Sequence, residues 1–365
     1  LINLNYNLIM KFYEIKKYSA IIILIFIHLM ITSCSSPKNC SKDNANLQAI
    51  VNTNWDELSP FLLNEKFYFI RQKNEKDKNP IFYEYYFQKN KLAKSQLFNI
   101  KNLKNPSNFS FYKSGEIVQV FFAATVIENK IQNRNVFNGK IVDGEITDIA
   151  SIEEINTSNF EAYPAISKDG KLLAFVSDRP GSLGGTDLYI SIKNDDGKWS
   201  KPINFGDKIN TPANEISPFL DEQDNLYFSS NGYDNRNDFN IMKSQYEGDY
   251  QWMLAKSLPV PINSDSSELN PYIFNNQIYY SSNRVSGCGG FDIYIDTLCG
   301  NVVLSGNVFD AQNKLPLNGV VRIYDNLSNL IKEIQVKDDG KFSLELMPNS
   351  QYFIEYYNNC VPLYT

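Results

Sequence analysis

Between residues 58 and 296 the chain alternates short apolar runs with polar turns, and it does so on a fixed period. The clearest unit is Tyr163–Ile190, YPAISKDGKLLAFVSDRPGSLGGTDLYI, and Ser217–Ile241 and Asn270–Ile293 repeat its grammar. A proline opens an apolar step, a polar turn follows, and an alternating strand ends at Ser-Asp or Ser-Asn. A Gly/Asn-rich loop then leads into an aspartate and a second apolar run. Pro164, Pro218 and Pro271 anchor the three units in steps of 54 and 53 residues. Leu58–Tyr86 fits the same pattern with Pro60 as its anchor. A degenerate unit, NFSFYKSGEIVQVFFA, places Ser110 where the proline should stand. Runs of β-branched and aromatic residues bounded by Asp-Gly and Gly-Gly turns predict small antiparallel sheets. A period in the tens of residues predicts an array of them. The expected fold is therefore all-β: a β-propeller of five blades, or six, over residues 45–298.

The fifth unit lacks the further strand that closes each of the others, while Leu47–Val51 stands before the first unit without a sheet of its own. Ring closure by Leu47–Val51 as the outer strand of the last unit is the economical expectation, since an open ring would leave strand edges bare. Residues 299–365 change character. Strand, Asp-Asp-Gly turn, strand and Pro turn succeed one another in VVLSGNVFDAQNKLPLNGVVRIYD and VKDDGKFSLELMPNSQYFIEYY. They predict a small Ig/transthyretin-like β-sandwich, incomplete or barely complete at Thr365.

The N-terminus reads differently. Met10 looks like the true start, with residues 1–9 as an upstream extension. Lys11, Lys16 and Lys17 precede the apolar Ala20–Met30, a signal-peptide pattern too short to span a membrane comfortably. It runs into Ile31-Thr32-Ser33-Cys34, which resembles the lipobox of bacterial lipoproteins. That resemblance implies cleavage after residue 33, lipid on Cys34 and a tether over 34–44. The formal charge of −6 argues against nucleic acid as a partner. The one histidine, His28, falls in the leader, which closes off Ser-His-Asp, Cys-His and His-ligated metal chemistry in the mature chain.

Residues 45–296 resemble the WD40-like propeller repeats of TolB-type bacterial envelope proteins. The resemblance is carried by Ser167–Gly170, Phe175–Arg179, Gly184–Tyr189, Ser281–Arg284 and Gly289–Tyr294. Gly306–Val308, Pro316-Leu317, Asp339–Phe342 and Tyr352 resemble the carboxypeptidase-regulatory-like domain, which is non-catalytic in such contexts. In many Bacteroidota envelope lipoproteins this pair precedes an OmpA-like domain. None of it appears here, so peptidoglycan binding is not supported.

Several residues invite chemistry. SLGGTD and SGCGGFD suggest a phosphate cradle, but a strand and no helix follows each. Asp187, Asp238 and Asp292 recur at one repeat position, and the expected role is capping backbone N–H groups or pairing with Arg179 or Arg284. Asp221–Asn225 and Asp234–Asp238 lack a spaced calcium loop, so no metal and no cofactor is expected. Among Cys40, Cys288, Cys299 and Cys360, Cys288 with Cys299 is the favoured disulfide, with free thiols as the alternative. The long loops Asp178–Thr186, Asn231–Asn237 and Asn283–Gly290 predict a partner-binding face with Arg179, Tyr233, Arg236 and Arg284 as anchors. Bracing of their own sheets is the plainer role for the two recurrent arginines.

Together these readings predict a non-catalytic, lipid-anchored scaffold or adaptor, not an enzyme, on the periplasmic side of the outer membrane, binding envelope proteins. The alternative is a propeller that binds or processes a glycan or other small ligand.

Overall fold

The computed structural model describes residues 23–30, 42–73, 81–98, 100, 103–128, 131–234, 237–298, 302–310, 313–325, 328–346 and 352–357. They divide into two compact units, Cys40–Leu298 and a second that joins Leu1–Asn39 to Cys299–Thr365.

Among the described residues the larger unit is a succession of five antiparallel sheets of three or four strands, with a two-stranded hairpin, Tyr246–Gly248 and Gln251–Trp252, attached to the fourth. The first comprises Asp56–Leu63, Lys66–Gln72, Ile81–Tyr86 and Lys91–Lys94, and the second Lys104–Ser114, Ile117–Glu128, Ile131–Val142 and Glu145–Ser151. Glu161–Ile166, Leu172–Ser177, Asp187–Ile192 and Ile203–Asn204 form the third. The fourth is Glu215–Leu220, Leu226–Ser230, Asn240–Ser244 and Lys256–Ser257; the fifth is Glu268–Phe274, Gln277–Ser282 and Asp292–Thr297. Within each sheet neighbours in sequence are neighbours in space, as short polar turns between apolar runs require.

The anchoring prolines sit at bulges. Ser59, Tyr163, Ser217 and Asn270, each just before its proline, have φ of 54°, 52°, 54° and 56°. The register with the next strand slips there in all four sheets. Proline has no N–H for the ladder, so a bulge is where a strand tolerates it. In the second sheet, whose first strand bulges twice, the left-handed residue at the matching bulge is Asn108, with φ of 55°. Phe109 therefore holds the proline's place, one residue before the Ser110 expected.

Consecutive sheets share cores. Phe121, Ile155, Phe175 and Tyr189 join the second and third, and Leu188, Leu220, Phe228 and Met242 the third and fourth. Tyr227, Ile241 and Tyr280 join the fourth and fifth, and Phe61, Phe98, Phe109 and Phe111 the first and second. Phe67, Phe69, Tyr279 and Ile293 then join the fifth back to the first. Burying each such side chain is worth about 1.5–3 kcal/mol, which makes these shared cores the main force holding the sheets together.

The return from the fifth sheet to the first uses the same contacts as the internal junctions. Glu57 N–H donates to Phe291 O at 2.7 Å, as Glu215 N–H does to Thr186 O at 2.8 Å and Glu268 N–H to Phe239 O at 2.7 Å. A carboxamide completes each junction. Asn52 Oδ1 accepts Ile293 N–H at 2.9 Å while its Nδ2 donates to Ile293 O at 2.9 Å. Asn156, Asn210 and Asn263 grip Val136, Leu188 and Ile241 in the same two-bond way. The expected closing strand Leu47–Val51 is instead the end of a helix, α1 (Lys42–Val51), whose Leu47 and Val51 pack against Phe67, Tyr279 and Ile293. Lys42–Ala49 contains no helix-breaking proline or glycine, and the packing of Leu47 and Val51 outweighs the low propensity of Asp43, Asn44 and Asn46. At the edge of the fifth sheet Asn52 satisfies both backbone groups of Ile293, as its counterparts do beside the fourth strands of the other sheets.

The second unit pairs two three-stranded sheets, Ile23–Met30 with Val302–Asp310 and Lys341–Leu346, and Leu330–Val336 with Gly319–Tyr324 and Phe353–Tyr357. Leu304, Val308, Val321, Ile323, Phe342, Leu344 and Tyr356 form the core between them. Ile23–Met30 belongs to the segment expected to act as a leader; here it runs antiparallel to Val303–Asp310 as an edge strand.

Candidate functional site

Four of the five sheets open on a glutamate with no exposed surface: Glu57, Glu161, Glu215 and Glu268. Each is met from four residues upstream by a threonine or serine. Thr157 donates its N–H to Glu161 Oε2 at 2.8 Å and its hydroxyl to Oε1 at 2.7 Å. Ser177 Oγ and Arg179 Nη2 reach the same Oε1 at 3.0 and 3.1 Å, and Arg179 Nη2 also donates to Ile155 O at 2.7 Å. Glu268 with Ser264, Ser282 and Arg284 repeats this, as does Glu57 with Thr53 and Arg71. The guanidinium groups lie against aromatic faces of their own sheets: Arg179 is 5.0 Å from the Phe175 and Tyr189 centroids, and Arg284 is 4.3 Å from that of Tyr294. These clusters tie each sheet to the loop that enters it.

Two sheets depart from this plan. In the fourth, Gly232 stands where the third has Arg179, and a Cβ there would come within 1.9 Å of Thr211 Oγ1. Tyr233 fills in, its hydroxyl donating to Ile209 O at 2.8 Å, the carbonyl that corresponds to Ile155 O. Glu215 thus has no cation among the described residues, and burial pushes its carboxyl above the usual carboxylate range despite bonds from Ser230 and Thr211. Burial also raises Glu57. In the second sheet Pro106 holds the glutamate's place, Ala124 the serine's and Val126 the arginine's, by the pairing of Ser107 with Ala123 against that of Ala162 with Val176.

These clusters account for several residues singled out in the sequence. Arg179, Arg284 and Tyr233, expected to anchor a partner, are engaged within the fold; the arginine side chains are only 13% and 17% exposed. The arginines pair with the glutamates, not with the repeated aspartates. Asp187 accepts the N–H groups of Leu183 and Gly184 at 2.7 and 3.1 Å, and Asp292 those of Cys288 and Gly289 at 2.6 and 3.1 Å. Asp238 is not their equivalent. The loops into the third strands have equal lengths, so Asn240 lies opposite Ser230 as Asp187 lies opposite Ser177. Asp238 falls two residues earlier and accepts the Ser267 hydroxyl at 3.3 Å.

The Gly-Gly pairs are explained by close approach: a Cβ on Gly184 would lie 2.3 Å from Ala213 O, and one on Gly289 2.0 Å from Trp55 O. Asp221 is taken up by its own turn, accepting N–H bonds from Gln223 and Asn225 at 2.9 Å each. Cys34, Cys40, Arg236, Cys299 and Cys360 lie outside the described residues, and with them the expected lipid site and the Cys288–Cys299 pairing.

A second set of residues lies on the first strands, which adjoin one another: second with third, third with fourth, fourth with fifth, fifth with first. The left-handed bulge residues there are Ser59, Asn108, Tyr163, Ser217 and Asn270. Asn270 Oδ1 accepts the Ser59 N–H at 3.4 Å, and its Nδ2 donates to Ser217 Oγ at 2.9 Å, so one carboxamide links three sheets. Asn108 Oδ1 accepts the Ser107 hydroxyl at 2.9 Å, and Ser107 in turn accepts Arg134 Nη2 at 2.6 Å. Burial pushes the Tyr163 phenol up, while the charge of Arg134 pulls it down. The set carries hydroxyls, carboxamides and a phenol on adjoining first strands, with Ser217 buried, Tyr163 packed against the core of the third and fourth sheets, and the Arg134 guanidinium beside them.

Among solved structures the chain is similar to three hydrolases. One is an endo-arabinase from Bacteroides thetaiotaomicron VPI-5482, with 12% identity, TM-score 0.46, and 69% of this chain and 96% of that one covered. Another is an α-L-arabinofuranosidase from Lactobacillus brevis, with 10% identity, TM-score 0.43, and coverage of 67% and 90%. The third is a Mycobacterium tuberculosis puromycin-hydrolyzing peptidase, with 12% identity, TM-score 0.39, and coverage of 75% of this chain and 53% of that one. The chain's own contacts, with first strands adjoining in succession and the fifth sheet bonded back to the first, make the all-β unit a β-propeller. No protein family and no curated protein matches the sequence. The expectation of a non-catalytic scaffold that is not an enzyme stands against what was found, for these solved structures are of enzymes. At so low an identity the likeness is one of fold, and their substrates and reactions stay with them.

Proposed function

We propose that the chain is a five-bladed propeller that binds a glycan, or another small polyhydroxylated ligand, at the inner edge of its ring. The observation behind this reading is the chemistry of one repeated position. Ser59, Asn108, Tyr163, Ser217 and Asn270 stand at the same bulge of five sheets, and every one carries a neutral hydrogen-bonding group. Proteins that recognise hydroxyl-rich ligands need convergent donors and acceptors on a rigid frame, and first strands locked by buried carboxylate clusters provide such a frame. The finer assignments are carried here as parts of the same proposal: a TolB-like envelope protein, lipidated on Cys34, with a carboxypeptidase-regulatory-like β-sandwich after the ring.

The test is saturation-transfer NMR and calorimetry with a panel of neutral and acidic mono- and oligosaccharides, with released reducing ends measured in parallel to score turnover. Asn270→Ala combined with Ser217→Ala should weaken binding at least about tenfold, the worth of one or two lost hydrogen bonds. Failure of every sugar to bind, or binding untouched by the double variant at an unchanged melting temperature, would sink the proposal.

A further inference from the structure

Resting on that reading of the inner edge, we infer that the ligand carries a carboxylate or similar anion, and that Arg134 receives it. In the first, third and fifth sheets an arginine is matched by a buried glutamate at the start of the first strand. In the second sheet the glutamate's position is Pro106, and the guanidinium comes instead from Arg134 on the third strand. Arg134 touches both neighbours of that proline: Nη1 donates to Asn105 O at 3.2 Å and Nη2 to Ser107 Oγ at 2.6 Å. Its other contacts are Ala123 O at 3.2 Å and Thr125 Oγ1 at 3.4 Å. All four acceptors are neutral, and no carboxylate of the described residues pairs with it.

A partly buried guanidinium loses hydration that neutral acceptors only partly restore. The three matched arginines show what this fold supplies in compensation, a carboxylate oxygen at 2.7–3.2 Å. An anionic ligand would supply the same group from outside. Both Nη groups already donate to these acceptors, so the anion would meet the Nε–H and the undischarged positive charge of the guanidinium. Ser107, shared by Arg134 and Asn108, joins this cation to the collar formed by the bulge residues Ser59, Asn108, Tyr163, Ser217 and Asn270. The ligand class is therefore an acidic sugar, a uronate, with its hydroxyls on the collar and its carboxylate on Arg134.

Two probes test this: glucuronate against glucose in calorimetry, and sodium acetate against sodium chloride at matched ionic strength in thermal unfolding. The wild-type chain should prefer glucuronate by at least about tenfold, the worth of one charged hydrogen bond, and acetate should raise its melting temperature. Arg134→Gln should abolish both effects, and Arg134→Lys should keep part of the preference. Equal binding of glucuronate and glucose overturns the anion site while leaving the collar reading intact. An acetate effect that needs Arg134 without any sugar binding keeps the anion site and removes the collar reading. Absence of both effects in the wild-type chain removes the anion site, whether or not Arg134→Gln folds.

Discussion

Replacing Glu161 by glutamine should cost far more than the same change at Glu215, although both carboxylates are fully buried and both are bonded by a threonine and a serine. At Glu161 the change leaves Arg179, with 13% of its side chain exposed, facing a neutral amide. Breaking a buried pair costs about 3–5 kcal/mol. The bond from Arg179 to Ile155 O survives, which places the expected loss near the lower end, about 3 kcal/mol. For a unit of this size each kcal/mol moves the melting temperature by about 2–4 °C, so Glu161→Gln should melt about 6–12 °C lower. At Glu215 no arginine is left behind. Its carboxyl is raised by burial, so between the unfolded and the folded titration ranges the folded chain binds a proton there more tightly than the unfolded chain does. Stability from this group is greatest below the unfolded carboxylate range and falls as pH rises toward the folded value, where the loss levels off. Glutamine carries no such penalty. Glu215→Gln should therefore stay within about 1 kcal/mol of wild type at pH 7.5, and its standing relative to wild type should improve from pH 4 to pH 7.5. Urea unfolding followed by tryptophan fluorescence is a suitable assay, because all 3 tryptophans, Trp55, Trp199 and Trp252, lie in the propeller unit. Equal losses at the two positions at pH 7.5 would refute the claim that the matched cation separates the two clusters.

Two further outcomes concern closure of the ring. Asn52→Ala removes both bonds to Ile293 and should cost about 1–3 kcal/mol while speeding amide exchange along Asp292–Thr297; protection unchanged there would mean that the helix alone closes the ring. Gly289→Ala drives a Cβ to 2.0 Å from Trp55 O, a backbone atom with little room to move. It should cost about 1–3 kcal/mol or more by overpacking, against about 1 kcal/mol for Gly197→Ala, where φ is +84° and nothing lies within 4 Å; similar melting of the two variants would count against the tight junction.

The period, the strands and the bulge-forming prolines were legible in the sequence because each rests on a local rule: alternation for strands, proline where the ladder is interrupted. Closure was legible in its need but not in its means. Leu47–Val51 is apolar enough to read as a strand, yet it forms the end of a helix whose Leu47 and Val51 cover Phe67, Tyr279 and Ile293, while the carboxamide of Asn52 bonds Ile293. Asp238 was misplaced because Asp-Phe-Asn-Ile resembles Asp-Leu-Tyr-Ile letter by letter, while loop length decides which residue faces Ser230.

The glutamate clusters were missed, although their signal was present. Asn-Thr or Asn-Ser followed four residues after the hydroxyl by Glu recurs at Asn52–Glu57, Asn156–Glu161, Asn210–Glu215 and Asn263–Glu268. Such a spacing is unremarkable within one loop, since its asparagine grips one strand and its glutamate another element altogether. It acquires meaning only through repetition, and the repeats were aligned on prolines and aspartates. Once the motif is aligned, the second sheet stands out for what it lacks. Its loop offers Asn105-Pro106 where the others offer glutamate, and its cation comes from a strand the repeat pattern never flagged. A buried charge costs less in a unit that carries its own counter-charge, as the first, third and fifth sheets do. The unit that keeps the cation and drops the carboxylate has given up that economy, and the inner edge it faces is where an outside anion would restore it.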